Sequence, residues 1–171
     1  MMKAKPTNTY PERKESIFFG LGLIPKEDVP EIKIRYNKSR KGFLGKVTNS
    51  KDSFEFLKKV FDSRTLQVQE SIVVLYLNRA NQILGYYKHS IGGITGTVAD
   101  PRIIFATTVA SASSGIILSH NHPSGNLTPS QADIDITRKI KEVGKLLEVQ
   151  LLDHVIVTKA GYFSFAVDGL I

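Results

Sequence analysis

The sequence predicts an α/β fold, a mixed β-sheet flanked by helices, and three observations carry that prediction. From residue 67 onward, short β-branched runs and longer amphipathic ones follow each other in the order β-β-α-β-α-β-β. Helix-start signals stand at "DPRII" and "TPSQAD". Turn-forming breaks at "NRAN", "GGITGT" and "KAG" separate the runs. With 171 residues and 42% hydrophobic content, there is core enough for one domain and an appendage.

Residues 1–30 are rich in Pro, Gly and charge, with "SIFFGLGLIP" as their apolar patch, and read as a loosely ordered lead-in. "EIKIRY" alternates as a short strand does. "NSKDSFEFLKKVFDS" predicts a helix capped by Ser50, with Phe54, Leu57 and Phe61 on one face. Residues 1–66 thus form a basic lead-in with a short strand and one helix, and residues 67–171 the main domain. In that domain "LQVQESIVVLYLN" is apolar on both faces after Ser71, as a central strand must be, and "QILGYYKHSI" is its partner. Asp100 and Pro101 cap the helix "PRIIFATTVASA". "SGIILSH" is a short buried strand. Thr128, Pro129 and Gln131 suggest a T-x-x-Q capping box for a helix reaching about Leu147. "VQLLDHVIVT" and "YFSFA" close the chain as strands.

The net charge of +7 is segregated. Residues 1–66 hold 15 Lys/Arg against 8 Asp/Glu, whereas residues 67–171 hold eight of each. The excess is densest in 33–51, with seven basic residues and no acidic one. Lys38, Arg40 and Lys41 there are candidate contacts to DNA phosphates, the plain alternative being a solvated surface segment. No run approaches the roughly 18 apolar residues of a membrane span. The start lacks a signal-peptide core and cleavage site, and there is no cysteine for disulfides or thiolate metal sites. A cytoplasmic protein is expected. The edge of a mixed sheet permits a homodimer.

"IILSHNHPSGNLTPSQADIDI", residues 116–136, carries the chemistry. His120 and His122 stand two apart at a strand end, so both rings project to one side. Asp133 falls in or near the first turn of the next helix, where a carboxylate is favoured. Two nitrogens and one oxygen with an open fourth position is the pattern of catalytic zinc, while Mg and Ca prefer all-oxygen shells. Yet H-x-H at a strand end also occurs as surface decoration, and any helix can start with Asp. Spacing alone leaves both readings open.

The run "HNHPSGNLTPSQAD" fits the H-x-H-P-x6-S-x2-D signature at every fixed position, and so resembles the JAMM (MPN+) metalloproteases. Residues 67–171 more widely resemble the RadC-type JAB domain, whose layered fold is related to that of cytidine deaminases. The resemblance implies one zinc per chain on His120, His122 and Asp133, with a water as fourth ligand. It further implies that Ser130 hydrogen-bonds the developing oxyanion and that Glu70, in "VQES", deprotonates the water. A zinc-dependent hydrolase of peptide or isopeptide bonds is the expected activity, with its peptide or protein substrate open. Asn121 stands where the deubiquitinating branch has Ser or Thr, so ubiquitin-like substrates do not follow. RadC relatives commonly carry a helix-hairpin-helix DNA-binding region upstream, a pattern that residues 1–66 do not show.

Other residues read more plainly. His154 suits a hydrogen-bonded core histidine, paired with Asp153 or a nearby backbone group. His89 reads as ordinary surface. Asp135, two residues past Asp133, points about 200° around the helix. Gly92, Gly93 and Gly96 lack the Lys-Ser/Thr of a phosphate loop and read as a tight connection near the site. Ser124 suits a turn better than a nucleophile. The rival function is a protein associated with DNA repair or mobile DNA, its JAB domain serving as a partner-binding module. A cytidine-type deaminase is excluded, since its zinc site needs H-x-E and P-C-x-x-C.

Overall fold

A computed structural model describes residues 16–19, 22–25, 44–92 and 98–171, the first two stretches as backbone alone. Residues 1–34 and 35–171 form separate compact units. In the first, β1 (Ser16–Phe19) and β2 (Gly22–Pro25) pair antiparallel, with Ser16 opposite Pro25 and Phe19 opposite Gly22. The apolar patch of the lead-in is therefore a hairpin rather than loose chain, as two β-prone runs flanking a two-residue break allow. "EIKIRY", Lys38, Arg40 and Lys41 lie outside the described residues.

The second unit contains α1 (Ser50–Val60), β3 (Ser71–Leu77), β4 (Ile83–Ile91), α2 (Pro101–Ala110), β5 (Gly115–Asn121), α3 (Gln131–Leu146), β6 (Gln150–Val157) and β7 (Tyr162–Ser164). From β3 onward the order matches the sequence prediction. The five strands lie β4-β3-β5-β6-β7, all pairs antiparallel except β5 with β6. That mixed sheet, with helices on both faces, is the predicted α/β fold. Alternation along β3 sorts its apolar residues into two cores. Val73, Leu75 and Leu77 join Phe54, Leu57 and Phe61 of the α1 region, while Ile72, Val74 and Tyr76 join Ile104 and Phe105 of α2 and Ile140 of α3. The helix assigned with the lead-in thus packs on the sheet, contributing to a core shared with β3, β5 and β6.

Caps differ in detail from expectation. Asn49, not Ser50, caps α1, accepting the Asp52 amide N–H at 3.0 Å. Ser50 instead shares a hydrogen bond with Ser164. Asp100 and Pro101 start α2 as predicted. The α3 box is built from Ser130 and Asp133 rather than Thr128 and Gln131. Thr128 is held in an Asx turn, its amide donating to Asn126 Oδ1 at 2.9 Å. Where α3 ends, a Cβ on Gly144 would stand 2.5 Å from the Val149 carbonyl oxygen, so only glycine lets β6 begin so close to the helix. Among the described residues no helix is long and apolar enough to cross a membrane.

Candidate metal centre

His120 and His122 leave the carboxyl end of β5 toward α3, whose first turn carries Asp133. One ligand atom from each of the three lies within 4.8 Å of the others. His120 Nε2 is 2.9 Å from His122 Nε2 and 3.2 Å from Asp133 Oδ1. His122 Nε2 is 3.7 Å from Asp133 Oδ2. The edge of a zinc tetrahedron with bonds of 2.0–2.1 Å is roughly 3.3 Å. The two imidazoles and the carboxylate therefore stand close to the mutual spacing a small cation sets.

The surrounding hydrogen bonds assign the ring protons. His122 Nδ1 donates to the Asn126 carbonyl at 2.6 Å, which leaves a lone pair on Nε2 of the neutral ring. The turn that aims this carbonyl closes through Gly125 N–H to His122 O at 3.1 Å, with Gly125 at φ +80°. Thr137 donates its hydroxyl proton to Asp133 O at 2.5 Å and so accepts from His154 Nδ1 at 2.6 Å. Burial keeps the His154 pKa well below its ordinary value, so the ring is neutral. Its Nε2 therefore accepts from His120 Nδ1 at 2.9 Å. Both Nε2 lone pairs then face each other and a carboxylate with no proton between them. A cation resolves that repulsion, and two imidazoles with one carboxylate form a donor set that fits it.

Asp133 is prepared for the same task. Its Oδ2 accepts from Ser130 N at 2.7 Å and Ser130 Oγ at 2.6 Å, leaving Oδ1 toward His120. Burial raises its pKa, but the neighbouring histidines and the Ser130 hydroxyl outweigh this and hold it ionised, far below the usual carboxylate range. His122 is shifted up, chiefly by Asp133 and against partial burial.

A cavity of about 200 Å³ opens beside the triad, lined by Glu70, His120, Asp133 and His154 among polar residues and by Ile72, Leu118 and Ile136 among apolar ones. Glu70 immediately precedes β3, and its charge contributes to the raised His122 pKa. The structure thus brings five sequence candidates together: His120, His122, Asp133, Ser130 and Glu70.

A family model described as a RadC-like JAB domain matches residues 47–170. The chain belongs to the RadC-like JAB domain family. Relatives bearing the name UPF0758 protein agree with that membership. The one from Flavobacterium johnsoniae is 42% identical over 127 residues, 74% of this chain and 54% of its own length. Those from Aquifex aeolicus (35% over 154 residues, 89% of this chain and 64% of the relative) and Chlorobaculum tepidum (42% over 120, 70% and 53%) are similar. The chain spans about half to under two thirds of these relatives, and the family match includes α1.

Within this JAB domain several minor expectations change. His154 is a core histidine, as read, but its partners are His120 and Thr137, and its ring stacks on Phe165 at 4.5 Å. Asp153 turns to the other face, accepting from Ser164 Oγ and Ala166 N. Half-buried His89 is more than surface: its Nε2 accepts the Asp100 amide N–H at 2.8 Å, ahead of α2. Burial lowers its pKa. Asp135 is exposed and pairs with Arg138, away from the triad. Ser124 accepts the Asn126 amide N–H within the turn. Gly92 donates its amide to Glu70 O at 2.8 Å, while Gly93 and Gly96 lie outside the described residues. Sequence reasoning did not find Thr137 or the role of Asn121, both of which act across long stretches of chain.

Proposed function

We propose that this JAB domain is a zinc-dependent hydrolase of peptide or isopeptide bonds. The convergence of two unprotonated Nε2 atoms and Asp133 Oδ1 carries the reading. Nitrogen donors favour zinc over Mg or Ca. A zinc ion held there supplies Lewis acidity and lowers the pKa of a water it binds to about 7. Glu70, in the same cavity, takes a proton from water as the oxygen attacks the carbonyl carbon. It returns that proton to the nitrogen as the C–N bond breaks. Ser130, whose hydroxyl now donates to Asp133, turns to donate to the oxygen on which charge develops. Metal analysis of purified protein is expected to give about one zinc per chain, lost in His122→Ala. A peptide-library screen then supplies a substrate, on which zinc-saturated Glu70→Gln, its affinity for the ion only modestly reduced, loses turnover. A wild-type protein without affinity for zinc removes the basis of the reading.

The charge segregation favours a second reading, in which residues 33–51 bring the domain to DNA in repair or on mobile elements. Neutralising Lys38, Arg40 and Lys41 should weaken DNA binding and flatten its salt dependence. Binding unmoved by substitution and by salt counts against it.

A further inference from the structure

The alternation that sends His120 and His122 to the α3 side of the sheet sends Asn121, between them, to the other. Asn121 is fully buried. Its Oδ1 accepts from Ser71 N and Ser71 Oγ, both at 2.9 Å. Its Nδ2 donates to Gln69 O at 2.9 Å and to Leu66 O at 2.7 Å. Two donors and two acceptor sites are all an Asn side chain possesses, and all four are used. The placement of two of these bonds matters. Gln69 O belongs to the peptide group before Glu70, and Ser71 N to the peptide group after it.

We propose that Asn121 is a positioning residue, whose amide grips the peptide groups on both sides of Glu70 and fixes its carboxylate against the metal ligands. The inference rests on the reading of Glu70 as the proton acceptor beside a bound cation. Glu70 precedes β3, beyond the end of the assigned strand. Its other fastenings run to Gly92, just past edge strand β4 (Gly92 N to Glu70 O, and Gln69 Nε2 to Gly92 O, each 2.8 Å), and to the preceding turn, through Gln69 N to Thr65 O at 2.9 Å. Asn121 instead ties it to β5, between the two histidines, so base and ligands share one frame. The residue type follows. An Asp of the same shape offers no proton to the Leu66 and Gln69 carbonyls and buries a charge against them. A Ser or Thr has one donor and is too short to bridge both sides.

The test is a double-mutant cycle on zinc affinity, measured by chelator competition with the full chain. Glu70→Gln in the wild-type background weakens zinc roughly fivefold by removing a placed charge. In Asn121→Ala, or the milder Asn121→Ser, the same change should alter affinity by less than about twofold, because the carboxylate is already adrift. A merely structural role for Asn121 gives multiplicative losses instead, and that result overturns the proposal, as does a Glu70→Gln without effect in the wild type. Absence of zinc binding by the wild type sinks the parent reading along with this one. Should neither Asn121 variant fold, amide exchange of the wild type decides. Protection at Ser71 well above exposed loop amides is expected, and exchange at the loop rate overturns the inference.

Discussion

His120 and His122 present the same atom to the same point from unlike surroundings. His120 is a strand residue with 4% of its side chain exposed, and its ring is backed by a side-chain relay through His154 and Thr137 to the Asp133 backbone. His122 lies one residue past the strand with 16% exposed, and is backed by one carbonyl on a turn. The buried ring is held by groups that lose their own partners if it leaves; the outer ring is held by a carbonyl that water can satisfy. One is a fixture of the core, the other an adjustable arm.

Substitutions can break this comparison, starting with the ligands themselves. His120→Ala and His122→Ala should each weaken zinc by at least about a hundredfold in chelator competition. Only His120→Ala should also cost the metal-free protein about 2–3 kcal/mol in denaturant unfolding, because it orphans His154. His122→Ala should cost under about 1 kcal/mol. Equal stability losses would erase the distinction.

The next effect acts through the relay. His154→Phe keeps an aromatic ring against Phe165 but removes the acceptor for His120 Nδ1, and should weaken zinc about 10–100-fold with every ligand in place. The relay also has a pH signature. Because the folded pKa of His154 lies below its ordinary value of 6.5, the unfolded chain takes up the proton first. Its stabilising contribution is therefore complete above about pH 6.5 and is lost as the pH falls below that toward the folded pKa. His122, shifted up, contributes in the opposite sense, being lost as the pH rises. The difference between wild type and His154→Phe in thermal unfolding isolates the inner ring, with the larger acid destabilisation expected in the wild type. The smallest effect belongs to the outer arm. Gly125→Ala, at positive φ, should cost about 1 kcal/mol and loosen zinc by less than about tenfold, measured by the same competition.

The same contrast marks what the sequence made legible. The triad could be read because its members lie within 14 residues, and strand alternation and helix capping act over such distances. The element order from β3 to β7 was legible for the same reason. The α3 cap was displaced by two residues because T-x-x-Q and S-x-x-D overlap there, and only the Asn126 turn decides between them. His154 was rightly placed in the core but given the wrong neighbour. Its contact with His120 crosses 34 residues and depends on the parallel register of β5 with β6. Asn121 reaches back 50 to 55 residues, and its hydrogen bonds end on backbone groups that no motif displays.

The parallel β5–β6 pair has a further consequence. It requires a crossover, and α3 supplies it, so the strand end with both histidines runs directly into the helix start with Asp133. The candidate cation site is thus built within one short loop-closing segment, cheap in chain entropy to assemble. Glu70 joins it from the neighbouring strand, once β3 has paired with β5. If the domain works as proposed, its ion site is built by local contacts and its proton acceptor is placed by a long-range strand pairing, so ion binding does not require the base to be in position.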